Sequence, residues 1–178
     1  MKSDVIAIDN KGNGFRSAVE ETKKAAGYGG LSDKQSLRLQ LMAEEMLSMA
    51  RIVTGEMKAS FWVEGEGKKY SLHMTTKTNM NPGKRYELIS SSTSQRNDAA
   101  KGFLGMLRDA FEQAMTVGVA HDYQEIPLGM YYDAVSAPLN TLEWDGYERS
   151  VLRRLADDIR IGIRGEIVEM TVAKDFTE

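Results

Sequence analysis

The sequence contains no cysteine. That excludes a disulfide framework, a thiolate metal site and a cysteine nucleophile. Histidine occurs only at positions 73 and 121. One falls in a strand-like run and one in an irregular stretch, which is a poor basis for a metal site. There are three prolines, 42% hydrophobic and 28% charged residues, a balance that excludes wholesale disorder. There is no basic excess either: 23 Lys and Arg stand against 26 Asp and Glu, for a net charge of −3. A dedicated nucleic-acid binder needs such an excess to neutralise phosphates, so that class is set aside. No apolar run approaches the roughly 18–20 residues that span a bilayer. The N-terminal stretch lacks the apolar core of a signal peptide. The expectation is a cytoplasmic protein with no membrane or nucleic-acid partner. With 178 residues it should form one domain that buries roughly 70% of its unfolded surface.

What is present is strongly patterned. Val5, Ile6, Ala7 and Ile8 make a short strand over 4–9, closed by a glycine- and asparagine-rich turn over 10–14. Residues 15–26 read as a helix stopped by the glycines of 27–30. Ser32 followed by Gln35 forms a capping box, and Gly55 offers a stop. Between them Leu39, Met42, Met46, Met49 and Val53 recur at helical spacing, with Leu37, Leu41 and Ile52 read as widening the stripe. This is the core helix. Ala59, Phe61 and Val63, then Tyr70, Leu72 and Met74, alternate on either side of Gly65-Glu66-Gly67, which predicts a hairpin. By the same alternation His73 points to the opposite face from Leu72 and Met74.

The stretch 79–97 is rich in Ser, Thr, Asn and Lys and reads as a mobile loop around a short strand or turn, of a length typical of lids. From 98 a helical stripe returns with Phe103, Leu104, Leu107, Phe111 and Met115, interrupted near its start by Gly102 and Gly105. Residues 121–144 are irregular. A third helix is expected over 147–158, and a second hairpin over 159–172 closes the chain. The order β-α-α-β-β-loop-α-α-β-β predicts an α+β class: a two-layer sandwich of an antiparallel-rich mixed sheet with helices on one face.

With these residues in this order, the chain resembles the GHKL ATPase superfamily, and within it the anti-sigma serine kinases. The segment Leu37-Arg38-Leu39-Gln40-Leu41-Met42-Ala43-Glu44-Glu45 is similar to the family's first motif. The resemblance makes Glu45 the carboxylate that orients the attacking water or hydroxyl. The family's Mg²⁺-binding asparagine falls on Met49, whose thioether is no ligand for a hard cation, which puts Mg²⁺ in doubt. Asn79-Met80-Asn81-Pro82-Gly83 stands where the family has Asp-x-Gly-x-Gly. The resemblance assigns Asn79 to the adenine amino group, with Asn81 and Gly83 beside it. Lys101-Gly102-Phe103-Leu104-Gly105 resembles the glycine-rich helix start that approaches phosphates, so Lys101, Gly102 and Gly105 complete the nucleotide set. The similar letters of Asp9 to Gly14 lie before the core helix and read as a turn. The ligand implied is ATP or ADP. The function implied is that of a bacterial regulatory protein with weakened or lost serine/threonine phosphoryl transfer or ATPase activity.

Plainer readings stand beside these. Glu44 and Glu45 can be ordinary helical surface, and Gly102 and Gly105 can serve close helix-to-strand packing. Lys84, Arg85, Arg96 and Lys101 can be solvated charges rather than phosphate contacts. Residues 121–147 have no counterpart in the resemblance and read as an insertion. Its Met130, Tyr131, Tyr132 and Trp144 either cover the end of the sheet or meet another protein. The alternative function is therefore a non-catalytic interaction module, a homodimer or a regulator's partner, that keeps the fold without nucleotide.

Overall fold

The alternating residues of the central hairpin decide which way the sheet faces. A computed structural model describes residues 1–9, 11–54, 58–99 and 151–177, and in it the predicted hairpin is strands β2 (Lys58–Glu66) and β3 (Lys69–Lys77). Ala59, Phe61, Val63, Tyr70, Leu72 and Met74 are all buried, with Phe61 opposite Met74 and Val63 opposite Leu72. Gly67 turns the chain with φ of +58°. The closing hairpin, β4 (Asp158–Arg164) and β5 (Ile167–Asp175), adds Ile159, Ile161, Ile163, Val168, Met170 and Val172 to the same face. With β1 (Ile6–Asp9) the five-stranded sheet runs β1-β2-β3-β5-β4, and every neighbouring pair is antiparallel. The protein is α+β. Among the described residues the expected mixed character is limited to one parallel bridge, Asn97 to Ile161.

Two helices lie on the apolar face of the sheet. The first, α1 (Phe15–Tyr28), starts at Gly14, whose φ is +82° and whose β-carbon, if it had one, would lie 2.0 Å from the carbonyl oxygen of Ala7. It ends at Gly30, φ +63°, where Leu31 N–H bonds Ala26 O and Gly30 N–H bonds Gly27 O, the paired bonds of a Schellman stop. Tyr70 donates to the Ala25 carbonyl at 3.3 Å and ties the helix to β3. The second helix, α2 (Asp33–Thr54), has the predicted capping box: Gln35 N–H bonds Ser32 Oγ at 3.4 Å and Gln35 Oε1 accepts from Ser32 N–H at 3.0 Å. Leu39, Met42, Ala43, Met46, Leu47, Met49 and Ala50 are buried. Leu37 and Leu41 do not widen this stripe, being 66% and 38% exposed. At about 100° per residue Leu37 lies roughly 200° from Leu39, on the opposite side of the helix. The side chains of Ile52 and Val53 lie outside the described residues.

The stretch expected to be a loop is built around a helix. Residues Pro82–Ser91 form α3, capped by Asn81, whose side chain accepts from Lys84 N–H at 2.8 Å. Leu88 of α3 is buried. After α3 the chain lies along β4. The helix expected over 147–158 is helical at 151–155 and stops before Asp158, which already belongs to β4. Arg38 of α2 donates to the carbonyls of Arg154 and Leu155 at 3.3 and 3.0 Å, closing that helix end. The expected helix through Phe103 to Met115 and the expected insertion at 121–147 lie outside the described residues.

Candidate functional site

Glu45 sits midway along α2, at the boundary between the buried and exposed sides. It is half-buried where its neighbour Glu44 is exposed. One turn on, Met49 is 3% exposed and belongs to the apolar core. A core thioether offers no oxygen to a divalent cation, so these residues do not fit Mg²⁺. Ser48, the residue before Met49, is half-buried.

The β3–α3 connection carries the next candidates. Thr78 is buried and donates its N–H to the Glu166 carbonyl at 2.9 Å, which anchors the exit from the sheet. Asn79 is exposed; its carbonyl accepts from Lys84 Nζ at 3.4 Å, and Thr78 Oγ1 lies 3.5 Å from the same nitrogen. Asn81 holds the start of α3, its carboxamide oxygen taken by Lys84 N–H and its carbonyl by Arg85 N–H at 3.0 Å. Gly83 is exposed in the first turn. Of the basic residues, Arg96 is exposed, Lys84 is half-buried and Arg85 is 6% exposed. The description of solvated charges therefore suits Arg96 and fails for Arg85. Lys101, Gly102 and Gly105 lie outside the described residues, as do Met130, Tyr131, Tyr132 and Trp144.

The turn at Asp9 is a turn. Its carboxylate accepts from Lys11 N–H at 2.9 Å, Asn13 N–H at 3.1 Å and the Asn13 side chain at 2.8 Å, and the Asn13 side-chain bond leads in holding its pKa below the ordinary value.

On the outer face of the sheet the structure gathers a polar cluster that the sequence pointed to only through His73. The His73 ring stacks on Trp62 with centroids 5.0 Å apart and 7° between planes. Its Nε2 lies 3.4 Å from Glu64 Oε2 and its Nδ1 lies 3.3 Å from Thr171 Oγ1. Glu64 also accepts from Trp62 Nε1 at 3.1 Å and pairs with Lys2 at 3.0 Å, while the Lys2 ammonium lies 5.1 Å from the Trp62 ring centre. Burial pushes the His73 pKa down, against the pull of the Glu64 carboxylate. The Lys2 bond, followed by that of Trp62, holds Glu64 below its usual value. His73 is thus a cross-strand histidine. Trp62, Glu64 and His73 were findable from the period-two pattern, but Lys2 reaches them from outside any strand. Among the described residues no cluster of His, Asp or Glu could hold a metal ion, and no helix is long and apolar enough to cross a membrane.

No family model matches the chain, and no curated protein matches its sequence.

Proposed function

We propose that the protein is a nucleotide-binding regulatory domain of the GHKL type, similar to an anti-sigma serine kinase, acting in the cytoplasm. The observation that carries this reading is the half-burial of Glu45 midway along the core helix, where Glu44 beside it is exposed. A half-buried carboxylate at the edge of the apolar stripe supports a role for Glu45 on a ligand held against the helical layer. ATP or ADP binds beside α2 and the β3–α3 connection. Asn79 meets the adenine edge through its exposed carboxamide. Asn81 and Gly83 shape the turn, and Lys101, Gly102 and Gly105 approach the phosphates. Glu45 orients the attacking hydroxyl or water. With Met49 in the core at the family's metal position, phosphoryl transfer is slow or absent, because that position offers no oxygen to the cation that would neutralise developing charge.

The test is a thermal-unfolding titration with ATP and ADP, each with and without Mg²⁺. Ligand at a hundredfold its Kd stabilises the folded state by about 2.7 kcal/mol. The expected outcome is a clear upward shift in Tm that is indifferent to Mg²⁺ and lost when Gly102 is enlarged. The absence of any shift at millimolar nucleotide overturns the reading.

One observation favours the second reading, an interaction module without nucleotide. Leu37 and Leu41 stand one turn apart on α2 and both face out. Such a module uses this side of α2 against a regulator or a second copy.

A further inference from the structure

The segment 93–99 closes the β4 edge of the sheet. Thr93 N–H donates to Ile159 O at 2.8 Å and Ile159 N–H donates to Thr93 Oγ1 at 2.7 Å. Asp98 N–H donates to Ile161 O at 2.8 Å. The Asn97 carboxamide mimics a peptide group: its Nδ2 donates to Ile163 O at 2.9 Å and its Oδ1 accepts from Ile163 N–H at 2.7 Å. Three of these five bonds therefore depend on a side chain of the segment. A regular sixth strand would use its backbone for all of them.

The segment is exposed over its first four residues, Thr93, Ser94, Gln95 and Arg96, and half-buried at Asn97, Asp98 and Ala99. No residue of 93–99 belongs to the apolar core or its packed margin. Gln95 takes a φ of +54°, the single non-glycine in the left-handed region among the described residues. On the β4 side, Gly162 lies under Ala99, so close that a β-carbon there would come within 3.3 Å of the Ala99 β-carbon and nitrogen. Upstream, the Arg153 guanidinium donates to the carbonyls of Ser90 and Ser92, pinning the point where the segment leaves α3. A stretch fixed chiefly by hydrogen bonds, with no residue in the apolar core, opens at lower free energy than the core strand it covers.

We propose that residues 93–99 are a detachable strap, held to the β4 edge by the Asn97 and Thr93 side chains, which opens as a unit while the five-stranded sheet stays folded. The strap is a conformational device that goes beyond the nucleotide reading and does not depend on it. Opening hinges at the Arg153-pinned end of α3 and frees the backbone groups of Ile159, Ile161 and Ile163.

Native-state hydrogen exchange on the full chain, followed by NMR in increasing urea, tests this. The amides of Thr93, Asp98, Ile159 and Ile163 report on the strap, while those of Arg160 and Gly162, which alternate toward β5, report on the sheet. The expected result is exchange at least about tenfold faster at the four strap amides, with little urea dependence below the unfolding transition. Exchange of all six at one rate with one urea dependence overturns the proposal. In Asn97→Ala, exchange at Ile163 and Asp98 should rise by about threefold or more while Arg160 and Gly162 hold their rates. Equal acceleration of all of them, or none at Ile163, also overturns it. The wild-type measurement stands even if that variant fails to fold.

Discussion

Glu64 accepts from Lys2 and Trp62 and lies 3.4 Å from His73, so two titrations of opposite charge type meet at one carboxylate. The folded state holds His73 below its ordinary 6.5 because burial penalises the imidazolium more than Glu64 favours it. Lys2 and Arg160, reaching the ring from the N-terminal segment and from β4, push the same way. A histidine with a depressed folded pKa takes up its proton more readily when unfolded. Its contribution to stability is complete above 6.5 and is lost as pH falls through the folded value. Glu64 is depressed below its ordinary 4.5, so its contribution is present above that value and lost below it. The urea midpoint should therefore be level from about pH 7 to 8, decline below about 6.5, and decline again below about 4.5. His73→Gln should abolish the first decline and keep the second. A wild-type midpoint that stays level down to pH 5 contradicts the assignment.

At the scale of elements, what could be read in advance followed from local chemistry. The capping box of α2, the glycine stop of α1 and the two hairpins each rest on residues within a few positions of one another, and each forms as expected. The α3 helix was hidden by its composition, since Ser, Thr, Asn and Lys around it suggest a loop. Yet Asn81 followed by Pro82 is an N-cap residue before a proline at the first helical position, a start signal that outweighs bulk polarity. The strap was hidden for another reason. The bonds from Thr93 and Asn97 reach strand residues 66 positions away, and no periodicity records a side chain that completes a distant sheet edge. The role of Asn81 gives a direct check. Asn81→Ala should cost about 1 kcal/mol in urea unfolding, as loss of an N-cap acceptor does. Asn81→Asp should retain most of that stability, because its carboxylate keeps the acceptor and suits the helix N-terminus. Equal losses for the two variants would mean that the cap does not hold the β3–α3 connection.

Across the whole molecule, the α+β class and the face that bears the core were legible because Phe61, Leu72, Met74, Ile161 and Met170 alternate with polar residues in a way that admits one buried face. The candidate site was legible in part. Glu45 was singled out through the family resemblance of its segment, and its half-burial could be read from its phase on the core helix, whereas the burial of Arg85 and Thr78 depends on tertiary packing that neighbouring residues do not encode. Leu37 and Leu41 show how apolarity can mislead when helical phase is ignored. Their exposure also separates the two functional readings. Leu41 borders Glu45 one turn on, so the separating change is made at Leu37 alone. Glutamate there removes exposed apolar surface without opening a cavity, so Leu37→Glu should unfold within about 0.5 kcal/mol of the wild type. A nucleotide domain that works through Glu45, two turns along the helix from Leu37, should keep its ATP-induced shift in Tm in this variant. An interaction module that uses this side of α2 should lose its partner or fall to a monomer in analytical ultracentrifugation. Retained nucleotide binding with unchanged association would assign the function to Glu45 and remove Leu37 from it.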